Sequence, residues 1–379
     1  MSRWIPNRSY FTGKTAPLRS CCTQRRERVL ITGGSGFIGT NLVEYYINEP
    51  AFEVLSVDNA PPQNQDHANC HFPADMVSFS EVNRIVRAFR PTAIFHLAAR
   101  TDLDGVSQDD YAANTIGTEN LIRAIHELRV KPNITTFTSS QLVCRIGYVP
   151  QAETDYAPNT AYGQSKVRTE QLIRVLAREH FTWVIVRPTS IWGPWFGAPY
   201  RDFFEAVLHY LYAHPKGYRI RKSFGFIGNT VHQLDRLAYG QVDEIRFKTL
   251  YLCDYSPLEV RSWARCIAHS FDRRTPLDLP VSLHYISAKV GDFIENISNF
   301  KAPLTSFRLS NLLADMTYDS EELQKIVGAL PFTMEEGVEI TARWMMSDKG
   351  RGHCFAPWPW RRKLVFGAVY TDKPGQPPR

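Results

Sequence analysis

The chain has 379 residues, 44% of them hydrophobic and 22% charged, a globular composition sufficient for one large domain or two coupled ones. The formal charge is +6, but residues 1–28 hold seven Lys/Arg against one acid and residues 350–379 hold six against one, leaving the body near −5; this argues against a basic nucleic-acid groove. No run of about 18 apolar residues marks a membrane span. The seven cysteines are odd in number and scattered without a C-x-x-C, which fits a reducing compartment, taken as the cytoplasm, and no metal site.

The leader, residues 1–27, is Arg-rich and acid-poor and lacks the apolar stretch of a secretory signal. Organelle targeting shares that composition; the expectation is a disordered extension, removable over 1–26 without loss of folding. From residue 28, short β-branched runs alternate with helical patterns. Strands are predicted at 28–32, 53–57, 92–97, 134–138 and 182–187, and helices near 37–48, 79–89, 111–129 and 161–179. Strands that read as continuous apolar runs are buried on both faces, as in parallel sheets. The alternation predicts an α/β, doubly wound Rossmann-type sheet over 28–190. After 190 the rhythm breaks into Pro, Gly and aromatic residues. A returning strand is placed within 226–257, and a smaller discontinuous substrate-binding portion in 191–225 and 258–346. Residues 347–379 form a basic, Pro- and Trp-containing tail, read as solvated, with a membrane-surface contact as the alternative.

In "VLITGGSGFIGTNL" four glycines fall within residues 33–39. Between a strand and a helix, bare backbone permits a tight turn and close approach to a pyrophosphate, which the helix N-terminus then attracts. Asp58 closes the next strand and suits a ribose hydroxyl while repelling a 2′-phosphate, favouring NAD over NADP.

Tyr162 and Lys166 stand one helical turn apart in "NTAYGQSKVRTEQLI". A neighbouring ammonium is expected to lower the phenol pKa and make Tyr162 a base. Ser139 and Ser140 follow the strand at 134–138, at the sheet end where ligands bind in open α/β folds.

Taken together, "ITGGSGFIG", "VDN", "HLAA", "NTIGTENLIRA", "TSSQLV", "YGQSK" and "VRPTSIWGP" resemble, in order and spacing, the extended short-chain dehydrogenase/reductase superfamily in its NAD-dependent nucleotide-sugar epimerase/dehydratase branch. The resemblance implies roles. Gly33, Gly36, Phe37, Ile38 and Gly39 would line the pyrophosphate loop, with Asp58 at the ribose and Asp75 near the adenine. Ala98 and Ala99 would pass under the cofactor, Asn114 would support the water and lysine network, and Pro188 would face the nicotinamide. Ser140, Tyr162 and Lys166 would be catalytic, with Lys166 also reaching the cofactor. A homodimer is implied, paired through the helices at 111–129 and 161–179, whose apolar stripes include Leu121, Ile122, Ile125, Leu128, Leu172, Ile173 and Leu176.

Two departures narrow the chemistry. Family dehydratases carry Asp-Glu directly after the catalytic Ser/Thr, and decarboxylating members a Glu in the second of those positions; here stand Gln141 and Leu142. The family's V-Y-G tyrosine is replaced by Cys144, read as packing. Candidate substrate contacts are Arg100, Thr101, Arg201 and Arg308. His232 and Asp235, in a segment aligned with a family strand, are read as structural. The resulting reading is an NAD-dependent epimerase that oxidises a nucleotide sugar transiently. The alternatives are a net dehydrogenase/reductase on another hydroxyl/keto substrate, and a non-catalytic NAD-binding protein.

Overall fold

The computed structural model describes residues 10–11, 14–15, 26–240, 242–297, 302, 304–347 and 349–350; Cys21, Cys22 and Cys354, and residues 351–379 of the tail, lie outside them. The first half alternates as predicted: β1 (Glu27–Thr32), α1 (Phe37–Tyr46), β2 (Phe52–Asp58), β3 (His71–Pro73), α2 (Phe79–Phe89), β4 (Ala93–His96), α3 (Ala112–Glu127), β5 (Ile134–Thr138), α4 (Ala161–Leu172) and β6 (Trp183–Pro188). There follow β7 (Ser190–Trp192), α5 (Tyr200–Leu208), β8 (His214–Pro215), β9 (Arg221–Lys222), β10 (Phe224–Phe226), α6 (Ile227–Tyr239), α7 (Val242–Ile245) and β11 (Thr249–Leu252). The remainder is β12 (Leu258–Glu259), α8 (Val260–Ser270), β13 (Asp278–Leu279), α9 (Val281–Ile297), α10 (Ser306–Leu313), α11 (Glu321–Val327) and α12 (Met334–Met346).

Seven strands form one parallel sheet in the order β11-β6-β5-β4-β1-β2-β3. The returning strand is β11, beside β6. The four residues of β4 are all buried, as are the first five of β6, so helices cover both faces. On one side Val82, Ile85 and Val86 of α2 join Leu121, Ile122 and Ile125 of α3 and Ile173 beyond α4. The helical stripes expected to form a dimer seam therefore lie largely in the chain's own core.

Two elements differ from expectation. Strand β3 is only three residues long and ends in proline, too short to show a period. Residues 227–239, aligned with a family strand, form helix α6, with Val231, Leu234, Leu237 and Ala238 buried at helical spacing. His232 and Asp235 are nonetheless structural: Asp235 accepts from the Tyr46 hydroxyl at 2.9 Å. Among the described residues no helix is long and apolar enough to cross a membrane.

The leader is not wholly separate from the body. Phe11 is 3% exposed, packed edge-on to Tyr45 at 4.8 Å and near Phe332. Tyr10 donates to Asn41 Oδ1, Lys14 pairs with Glu336, and the Thr15 hydroxyl lies 2.9 Å from His232 Nδ1. These contacts join α1, α6 and α12, so removal of 1–26 strips core surface as well as leader. Phe11→Ala is expected to lower the unfolding free energy by about 3 kcal/mol, read by chemical denaturation; an unchanged midpoint would show that this packing contributes nothing.

Candidate active site

The strands end at a switch point where the connections after β1 and β4 leave on opposite sides of the sheet, the position where open α/β sheets bind ligands. A cleft of about 660 Å³ opens there. Its floor is the glycine loop. Gly33 has φ +77°, and a Cβ on it would sit 2.5 Å from the Ala98 nitrogen; a Cβ on Gly39 would meet the Gly33 carbonyl at 2.1 Å. Only glycine permits this close approach of loop, helix and neighbouring strand. Asp58 closes β2 with its carboxylate accepting from the Ser35 and Ala60 amides, both at 3.0 Å. Gly33, Gly36, Phe37, Ile38, Gly39, Asp58, Asp75, Ala98, Ala99 and Pro188 all line this cleft, with Ser140, Tyr162 and Lys166. The bare loop, the helix end and the anchored carboxylate fit a dinucleotide.

Helix α4 starts on a Thr160 cap, whose hydroxyl accepts from Gly163 at 3.0 Å. That start presents Tyr162 and Lys166 to the cleft. Lys166 Nζ donates to the Thr138 carbonyl at 2.9 Å and sits 5.9 Å from the Tyr162 ring centre. The Ser140 hydroxyl accepts from Leu142 N at 3.1 Å. The expected lowering of the Tyr162 pKa is not met in the chain alone. Burial pushes it up to about 12, opposed by hydrogen bonding with Ser140. Burial likewise pulls Lys166 down to about 8, opposed by Glu170. Desolvation is thus the largest cause at both groups.

Beneath these residues lies a buried network that the sequence did not announce. Glu170, one turn past Lys166, takes a bidentate pair from Arg187 of β6, both bonds 2.8 Å. It also accepts from Ser139 at 2.6 Å and Tyr156 at 2.9 Å. Arg187 continues to the Glu153 carbonyl and the Tyr251 hydroxyl. Glu170 and Arg187 are at most 1% exposed. The network ties α4 to β5, β6 and β11 directly behind the reactive groups.

The other candidates divide. Arg100 and Thr101 line the cleft, Arg100 held by Asp102 at 2.8 Å. Asn114 faces the loop backbone beside the cleft, accepting from Arg100 N at 2.7 Å and donating to Arg100 O and to Ser165, next to Lys166. It shapes the wall, and Ala113 lines the cleft instead. Arg201 is also displaced, ion-paired with Glu205 at 3.1 Å and over the Trp344 ring. Arg308 is 8% exposed and not a surface residue; it pairs with Glu295 at 3.3 Å and bonds the Ala302 carbonyl.

Arg308 borders a second cavity not anticipated from sequence. Gln141, Leu142, Phe203, Phe224, Trp263 and Leu312 give it mostly apolar walls, and Tyr200 belongs to both cavities. Gln141 donates to Ser190 at 3.3 Å, so neither residue after Ser140 offers a carboxylate. Cys144 is buried with its thiol pKa raised by desolvation, as packing requires.

A family model, the NAD dependent epimerase/dehydratase family, matches residues 29–216. The chain is 23% identical to the N-acetyl-alpha-D-glucosaminyl-diphospho-ditrans,octacis-undecaprenol 4-epimerase of Escherichia coli O157:H7, over 84% of this chain and 95% of that one. It is 28% identical to a 3 beta-hydroxysteroid dehydrogenase/Delta 5-->4-isomerase of Mycobacterium tuberculosis, over 66% and 70%. Its fold superposes on the UDP-glucose 4-epimerase of Thermus thermophilus in complex with NAD at a TM-score of 0.63, with 20% identity, over 85% and 99% of the two chains.

Two outcomes are expected. Arg187→Met leaves buried Glu170 with only the more distant Arg174, at 4.0 Å, and costs about 3–5 kcal/mol by urea titration; a loss below the resolution of that titration would remove the network from the fold's essentials. Lys166 has a folded pKa near 8 against an ordinary value of 10.5, so the unfolded chain binds more protons between those values and stability rises with pH across that window. Below it the buried ammonium opposes folding. Lys166→Met therefore gains roughly 1–3 kcal/mol at pH 7, and the gain shrinks above pH 8; a pH-independent difference would refute the shift.

Proposed function

We propose, for a chain that belongs to the extended short-chain dehydrogenase/reductase superfamily in its NAD-dependent epimerase/dehydratase family, that it is an NAD-dependent epimerase which transiently oxidises a secondary hydroxyl of a nucleotide sugar. The observation carrying the reading is the convergence of Ser140, Tyr162 and Lys166 with the glycine loop and Asp58 on one cleft.

NAD would rest on Gly33, Gly36 and Gly39, with Asp58 at its adenosine ribose and Lys166 at its other end; Asp58 disfavours a 2′-phosphate. When bound, NAD supplies a reversible hydride acceptor and a positively charged ring that favours the phenolate. Ser140 holds the reacting hydroxyl by a hydrogen bond. Tyr162 takes its proton as the carbinol becomes a ketone, and returns it on reduction. Lys166 supports the phenolate from one turn away. Reduction on the opposite face of the ketone inverts the carbon. Gln141 and Leu142 cannot remove or donate a proton, so elimination of water is disfavoured.

A second reading, net oxidation of an apolar alcohol, is supported by the apolar cavity beyond Tyr200 and by the similarity to a hydroxysteroid dehydrogenase. The two separate by product: the epimerase interconverts two sugar nucleotides without net NADH, whereas the dehydrogenase releases NADH in proportion to substrate. The copurifying ligand, read by mass spectrometry, supplies the substrate to test.

On that substrate, Tyr162→Phe is expected to lower the rate by on the order of 10²–10⁴ with NAD affinity by calorimetry little changed. Wild-type turnover in the variant would reject this chemistry.

A further inference from the structure

Helix α9 buries His284, Ala288 and Gly291. A Cβ on Gly291 would sit 1.9 Å from the Leu304 carbonyl, so the segment entering α10 runs close beneath it. The other side of α9 is apolar, and among the described residues nothing covers it. Leu283, Ile286, Val290, Phe293 and Ile297 are 46–67% exposed. Their 3-4 spacing puts them on one stripe, about 21 Å long at 1.5 Å per residue. The stripe extends past the start of the helix. His284 Nε2 lies 3.1 Å from the Ala213 carbonyl, and the His214 amide donates to the Leu277 carbonyl at 2.8 Å, which brings exposed Leu211 and Leu277 alongside. A contiguous apolar surface of this kind marks an interaction site.

The charges around it identify the occupant. Lys216, Arg219, Arg273 and Arg274 are exposed at this end and Lys289 on the helix itself. Of the nearby acids Asp278 pairs with Arg261, Asp292 accepts from Ser306, and Glu295 holds Arg308 and the Ala302 amide; Asp272 is exposed beside Arg273, leaving the cations in excess. An apolar stripe flanked by lysine and arginine matches the interface of an anionic bilayer, where the side chains enter the acyl boundary and the cations meet headgroups. A second copy of this chain would bring the same cations against one another.

We propose that α9 and the adjoining 211–219 and 273–277 segments dock this protein on an anionic membrane surface. The inference is independent of which substrate the cleft takes. Helix α10, packed on α9, lines the apolar cavity through Arg308 and Leu312, so the lipid-facing helix stands one layer from that cavity.

The test is flotation of the full chain with vesicles of phosphatidylcholine, alone or mixed with phosphatidylserine. Three proteins are compared: wild type, Ile286→Asp/Phe293→Asp, and Arg273→Glu/Arg274→Glu, with thermal melting as the folding control. The expected result is wild-type flotation on anionic vesicles, weakened by salt and absent on neutral ones, and reduced at least about tenfold in each variant. No flotation of wild type, or flotation that both variants retain, overturns the proposal. So does a wild-type dimer that Ile286→Asp/Phe293→Asp dissociates while no vesicle binding is seen, which would assign the stripe to a second copy.

Discussion

The buried pair between Glu170 and Arg187 is the constraint around which the site is arranged. Both groups are at most 1% exposed, and such a pair is favourable only when geometry and further hydrogen bonds offset the desolvation of both charges. Here the carboxylate receives a two-pronged guanidinium together with two hydroxyls. Those partners come from separate parts of the fold: the end of β5, the loop before α4, and β6. One residue from two of these anchors lies a functional candidate: Ser140 beside Ser139, Pro188 beside Arg187. Lys166 is a single helical turn from Glu170. The reactive groups are thus held by a charge pair that none of them belongs to, which is how a polar site keeps its geometry while its own members change protonation.

Desolvation sets the second character of the site. Tyr162 and Lys166 are both held towards neutrality, and His96 behind them is pulled down to about 3 by burial and by Lys166, bonded to Thr32 and Thr118. Of these three groups only Lys166 is still charged at neutral pH in the chain alone, since its pKa stays above 7.

The Rossmann half was legible because its strands are buried on both faces and its loops need glycine, two demands that leave local marks in sequence. The positions of Gly33, Gly39, Asp58, Tyr162 and Lys166 followed from those marks and from the resemblance. What escaped was non-local. The apolar cavity draws on residues from Gln141 to Met316, and no window of sequence contains that juxtaposition. Asn114 and Arg201 do not line the cleft for a related reason: polar residues near a site can satisfy backbone or neighbouring side chains. Helix α6 was missed where alignment to a family strand overrode the spacing of its own apolar residues.

The aromatic anchor before β1 changes how the molecule comes apart. Tyr10 and Phe11 touch α1 of the cofactor half and the Phe226 and Phe332 rings of the other half. A contact shared by two halves is lost when either one opens, so each half's local unfolding carries the free energy of the joint as well as its own. The consequence is added cooperativity: the segment strengthens the joint between two halves that already share one apolar core.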